Sequence, residues 1–224
     1  MDKIKAAFAG KKANIGYIVA GYPSPAHTKE FLSNLDESAI DLLEIGIPYS
    51  DPLADGPEIF KASFSAVQNG VNAEKVFEIL KEVQTRKPLV FLVYYNVIFA
   101  YGAREFVAQA ARYGISGLII PDLPYEENEE IFALCEEFGI ALIPLISVTS
   151  EHRATRVLSR ARGFIYGVGA IGVTGSKQTP ISRLKNMVAD LKKMSDLPVA
   201  IGFGIRNSSD VRATKEYADG AIIG

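Results

Sequence analysis

The sequence predicts an α/β protein built as a closed (β/α)8 barrel, and three observations predict it. Eight short apolar runs alternate with amphipathic stretches of helical length along all 224 residues. Each run is continuously apolar, as are strands of a parallel sheet covered on both faces. No Pro-, Gly- or Ser-rich linker interrupts the series, so 1–224 reads as a single domain, close to the roughly 250 residues such a barrel fills. A doubly wound sheet is the alternative. Its usual Gly-x-Gly-x-x-Gly after the first strand is missing, and Gly21-Tyr22-Pro23 stands in that place.

The elements follow in order. Residues 1–8 are amphipathic and read as a short extra helix ahead of the barrel. Residues 14–20 (NIGYIVA) form the first strand, backed by a helix around 25–37, and 41–47 the second, backed by helix over 58–84. The third run, 89–95 (LVFLVYY), precedes a helix at 104–113, and the fourth, 117–121 (GLIIP), one at 126–138. The fifth, 141–147 (ALIPLIS), is followed by 151–160, and the sixth, 163–168 (GFIYGV), by 181–194. The seventh, 199–203 (VAIGF), is backed by 208–217, and the eighth is 220–224 (GAIIG). A helix is expected after the eighth strand as well, about 10 or more residues beyond Gly224.

Composition narrows the function classes. Lys and Arg number 24 against 26 Asp and Glu, a net charge of −2, and they are spread along the chain, which argues against a nucleic-acid footprint. The single cysteine, Cys135, lies on the apolar face of a predicted helix and reads as a buried filler. The N-terminus lacks the apolar core of a signal peptide, and no apolar run reaches the ~20 residues needed to span a bilayer, so a cytoplasmic protein is expected.

Active residues of such barrels gather at the C-terminal ends of the strands. The predicted strand interiors hold no Lys, Arg or His, and Glu44 is their only internal charge. Strand alternation puts Leu42, Glu44 and Gly46 on one face and Leu43, Ile45 and Ile47 on the other. Gly46, small and on the face of Glu44, is expected to leave room for a ligand. A carboxylate in such a pocket has a raised pKa and suits general acid/base work near neutral pH. Asp122 falls just after the fourth strand. Asp55 lies in the loop after the second, where Asp-Gly-Pro is equally ordinary turn chemistry.

Glycines at the ends of strands six, seven and eight (Gly172-Val173-Thr174-Gly175, Gly202-Phe203-Gly204 and Gly224) suit a backbone cradle for a phosphate. His27 and His152, both at predicted helix starts, form no cluster for a catalytic zinc, so no metal is expected. No strand carries a lysine for a Schiff base. Carboxylate chemistry on a phosphorylated substrate remains, and aromatic residues at strand ends (Tyr17, Tyr94, Tyr166 and Phe203) suggest an apolar ring in it.

The stretch Glu44-Ile45-Gly46-Ile47-Pro48-Tyr49-Ser50-Asp51-Pro52-Leu53-Ala54-Asp55-Gly56-Pro57 closely resembles the signature of the tryptophan synthase alpha chain family. Pro121-Asp122-Leu123-Pro124, Gly172-Val173-Thr174-Gly175 and Gly202-Phe203-Gly204-Ile205 follow in the expected order, so the resemblance covers the whole chain. It implies a TIM barrel that cleaves indole-3-glycerol phosphate to indole and glyceraldehyde 3-phosphate. It makes Glu44 the general acid/base and promotes Asp55 from turn residue to the partner of the indole N–H. Gly175, Gly204 and Gly224 match phosphate-binding positions. Tyr17, Tyr94, Ile119, Tyr166 and Phe203 match positions around the indole, Tyr17 standing where a Phe is common, and Thr174 matches a residue of a mobile loop that closes the site.

The sequence departs from the family at Gly169-Ala170, where Ser-Arg is usual, and this bears on the loop-closing contacts. The resemblance also implies a partner, a beta chain holding pyridoxal phosphate in an alpha2beta2 heterotetramer, met by the loop 49–56 and the region near Asn96. No cofactor is then expected in this chain. A different sugar-phosphate lyase or isomerase, and a non-catalytic barrel that activates a partner, are the competing readings.

Overall fold

The computed structural model describes residues 3–169, 179–202, 204–205 and 207–224. Among the described residues nine parallel strands form one sheet: β1 (Ala13–Val19), β2 (Leu42–Gly46), β3 (Leu89–Leu92), β4 (Ile115–Ile119), β5 (Ala141–Leu142), β6 (Leu145–Ser147), β7 (Ile165–Val168), β8 (Val199–Gly202) and β9 (Gly220–Ile223). Their order is β5-β4-β3-β2-β1-β9-β8-β7-β6, so the two end strands are successive pieces of one chain segment, and the sheet closes into the expected barrel.

The fifth predicted strand is thus two strands. Pro144 has no N–H to donate, which interrupts the ladder. Before it, β5 pairs with β4 and the Ile143 N–H donates to the Leu118 carbonyl at 2.9 Å. After it, β6 pairs with β7 and the Pro144 carbonyl accepts from the Tyr166 N–H at 2.9 Å.

The helices are α1 (Lys3–Phe8), α2 (Pro25–Ser33), α3 (Pro57–Gln68), α4 (Ala73–Lys81), α5 (Tyr95–Tyr101), α6 (Ala103–Arg112), α7 (Glu129–Phe138), α8 (Ala154–Leu158), α9 (Ile181–Met194) and α10 (Ser208–Lys215). The helical stretch expected over 58–84 consists of two helices, α3 and α4. Gly70 takes φ +78°, and the Asn72 side chain caps α4 by accepting from the Lys75 N–H. The third run also ends early. The Asp122 carboxylate accepts the Tyr95 N–H at 2.8 Å, which turns the chain out of β3 and into α5.

Strand alternation sorts the core into two parts. Leu43, Ile45 and Phe91 face outward to the helices, where Phe91 meets Phe77 and Phe106. Ile15, Leu42, Val90, Ile119, Phe164 and Ile222 fill the barrel interior. Helix α1 closes the N-terminal end from below, with Ile4 fully buried in that interior cluster and Phe8 5.7 Å from Phe164. The opposite, C-terminal rim carries Glu44, the loop after β2 and the ends of β4, β7, β8 and β9.

Candidate active site

Glu44 sits in the middle of β2, on the inward face with Leu42, and is 1 % exposed. Neither carboxylate oxygen has a hydrogen-bond partner among the described residues. Burial in an apolar surround penalises the charged form, and the nearby Asp55 charge adds to it, so the Glu44 pKa is raised to about 8. At neutral pH the group is held mostly protonated.

Tyr17 lies opposite Glu44 in the parallel register of β1 and β2. Its phenol occupies the space over Gly46: a Cβ at Gly46 would meet the Tyr17 Oη at 2.4 Å and its Cζ at 2.9 Å. The room left by Gly46 is therefore taken by a side chain rather than by a ligand, which corrects the expectation from strand phase. Tyr166 repeats the arrangement between β7 and β8, where a Cβ at Gly202 would meet its Oη at 2.2 Å. Both phenols have pKa values pushed well up, first by burial, with the Glu44 charge contributing to each.

Asp55 ends the loop after β2, two residues before the first residue of α3. Tyr94, at the end of the third run, donates its hydroxyl proton to Asp55 Oδ1 at 2.9 Å and accepts the Ala54 N–H at 3.0 Å. Burial raises the Asp55 pKa, and the Tyr94 bond, which favours the ionised form, opposes that rise. At the start of the loop the buried Ser63 of α3 accepts the Tyr49 N–H at 2.9 Å and donates to the Tyr49 carbonyl at 3.0 Å. The Tyr49 ring packs 5.4 Å from that of Tyr94. The loop is thus fastened at both ends.

The remaining residues divide. Ile119 is fully buried at the end of β4, among the inward-facing side chains. Gly204 takes φ +84°, a conformation that side chains disfavour, and lines a small cavity of about 90 Å³ with Thr179 and Thr214. Gly224 lies against Tyr17, whose Cδ1 would be 3.2 Å from an added Cβ. Thr174, Gly175 and Phe203 lie outside the described residues. Among the described residues no group of three or more His, Cys, Asp or Glu side chains could hold a metal ion, and no helix is long and apolar enough to cross a membrane.

Sequence reasoning missed the supports. The roles of Ser63, of Asp122 at the start of α5, and of the Tyr94 hydroxyl had no signal beyond a polar atom in an apolar setting. Cys135, by contrast, is the buried filler expected, its thiol pKa pushed up to about 12 by burial and then by Glu136.

Comparison with known proteins gives this arrangement a context. A family profile described as "Tryptophan synthase alpha chain" matches residues 4–224. The tryptophan synthase alpha chain of Campylobacter jejuni is 44 % identical over 218 residues, covering 97 % of this chain and 88 % of the relative. The solved tryptophan synthase subunit alpha from Campylobacter jejuni superposes with a TM-score of 0.89 over 97 % of this chain and 88 % of that one. A solved Mycobacterium tuberculosis tryptophan synthase matches with a TM-score of 0.89 at 32 % identity, over 100 % of this chain and 86 % of that one. With the profile spanning nearly every residue and the barrel shared throughout, the chain belongs to the tryptophan synthase alpha chain family.

Proposed function

We propose that Glu44 and Asp55 together carry out the retro-aldol cleavage of indole-3-glycerol phosphate, without a metal or a Schiff base. Family membership makes the chain a carbon–carbon lyase of tryptophan biosynthesis. The observation that carries the mechanism is Glu44 itself, a fully buried carboxylate with a pKa raised to about 8 and no hydrogen-bond partner among the described residues. Such a group is a proton donor at neutral pH and, once emptied, a strong enough base to take a proton back.

Protonated Glu44 gives its proton to C3 of the indole ring, and the positive charge that develops at the ring nitrogen is stabilised by Asp55 through the N–H. The Glu44 carboxylate then takes the proton of the hydroxyl on the carbon attached to C3. The O–H electron pair becomes the new carbonyl, the bond to C3 breaks, and its electrons restore the aromatic ring. Indole and glyceraldehyde 3-phosphate are released with Glu44 protonated again. Gly175, Gly204 and Gly224 supply the phosphate site in this scheme, and Tyr17, Tyr94, Ile119, Tyr166 and Phe203 the walls around the indole, with Thr174 on the closing loop.

The whole of 1–224 acts as one barrel domain. Its partner is a tryptophan synthase beta chain, which carries the pyridoxal phosphate. The docking surface is the rim around the loop 49–56, where Leu53 is 74 % and Phe99 68 % exposed and the Asn96 amide donates to the Tyr49 hydroxyl at 3.0 Å.

The test is Glu44→Gln, which keeps the shape and removes the proton chemistry. A folded barrel with cleavage reduced by about 10²–10⁴-fold is expected, with Asp55→Asn also severely impaired. Near-normal turnover by the Gln variant would sink the mechanism and leave the non-catalytic, partner-activating reading.

A further inference from the structure

The Tyr17 phenol is placed for more than packing. Its ring spans the interval between Gly46 on β2 and Gly224 at the end of β9, touching both. On one side lie the carboxylates of the chemistry, and on the other the end of the strand assigned above to the phosphate. A Phe ring would make the same ring contacts, so the extra atom to explain is the oxygen.

That oxygen is held close to the Gly46 backbone, where a side chain is excluded. It has no hydrogen-bond partner among the described residues, whereas the Tyr94 hydroxyl serves Asp55 and Ala54 and the Tyr49 hydroxyl serves Asn96. A polar atom at a partly buried position that makes no bond costs stability unless a ligand completes it. Burial and the charges of Asp55 and Glu44 keep the phenol protonated, so it presents a donor as well as two lone pairs.

We propose that Tyr17 is a specificity-determining residue whose hydroxyl hydrogen-bonds a hydroxyl of the substrate's three-carbon arm, the segment that runs from the ring to the phosphate. This rests on the cleavage reading above. It assigns to Tyr17 the recognition of a polyhydroxylated linker, distinct from the indole and phosphate contacts at its two ends. A substrate of the same length without hydroxyls leaves the Tyr17 oxygen unsatisfied and gains nothing from it.

The experiment compares Tyr17→Phe with the unsubstituted chain toward two ligands. One is indole-3-glycerol phosphate, and the other is indole-3-propanol phosphate, which has the ring and the phosphate but no arm hydroxyls. The variant is expected to lose about 3–10-fold in kcat/KM for the substrate, the effect of one neutral hydrogen bond. Its Kd for the propanol phosphate and the pH profile of kcat should be unchanged. Equal kcat/KM in the two proteins overturns the proposal, as does an equal loss for both ligands, which would mean ring packing. A displaced pH profile also overturns it, because Tyr17 would then act through Glu44. Absence of turnover in the unsubstituted chain removes the cleavage reading and this proposal together, whereas normal turnover with an indifferent Tyr17→Phe removes this proposal alone.

Discussion

Glu44 is ionised in the unfolded chain above about pH 4.5, but in the folded barrel only above about 8. Between those values the folded state holds the extra proton, so raising the pH favours unfolding, by about 1.4 kcal/mol per pH unit at most. The contribution of this one group is therefore best below pH 4.5 and is progressively lost up to about 8. Glu44→Gln has no such proton. Its stability relative to the unsubstituted chain is expected to improve steadily from pH 5 to 8 and then level off, as read by urea denaturation at several pH values. A difference that stays flat across that range would show that Glu44 is not perturbed as the structure implies. The same burial made Glu44 visible in the sequence, since a charge in the middle of an apolar strand is costly and persists there only where the chain uses it. Asp55 was not visible in that way. It lies in a turn where Asp is commonplace, and the bond that singles it out comes from Tyr94, 39 residues away, reaching back to it.

At the scale of elements, the alternation of apolar runs and helices was legible because parallel strands must be apolar on both faces. The boundaries depended on local side-chain bonds that periodicity does not contain. Asp122 ends the third strand early by accepting the Tyr95 N–H, and Gly70 lies at the break between α3 and α4 within the expected helical stretch. The space at Gly46 was misread for a related reason: strand phase tells which face a residue is on, but not which neighbour leans across it. Helix α3 also acts as an anchor, since its Ser63 bonds both backbone groups of Tyr49 at the root of the Asp55 loop. Ser63→Ala leaves those groups without their partner and is expected to cost about 1–3 kcal/mol. It should lower kcat/KM as well, through the Tyr49 end of the Asp55 loop. Unchanged stability in a denaturation series would remove Ser63 from the support of the site.

For the whole molecule, the barrel is a ring whose two end strands are separated only by Ile143 and Pro144. The ladder on one side of Ile143–Pro144 belongs to β4 and on the other to β7. Helix α1 plugs the lower end of this ring, so the open end is the upper one, toward which Glu44 and Asp55 lie. A break in the chain between Ile143 and Pro144 would cut no strand-pairing bond. The fragments 1–143 and 144–224 are held to each other elsewhere by the β1–β9 ladder, from Ala13↔Gly220 to Gly16↔Ile223. Co-expressed as separate polypeptides, they are expected to co-purify and to recover measurable cleavage activity. Two pieces that fail to associate would show that the junction carries more of the fold than its hydrogen bonds do. The proline that interrupts the fifth strand thus sits at the seam between two arcs of the ring, with Glu44 and Asp55 on the first and the last two strand ends of the rim on the second.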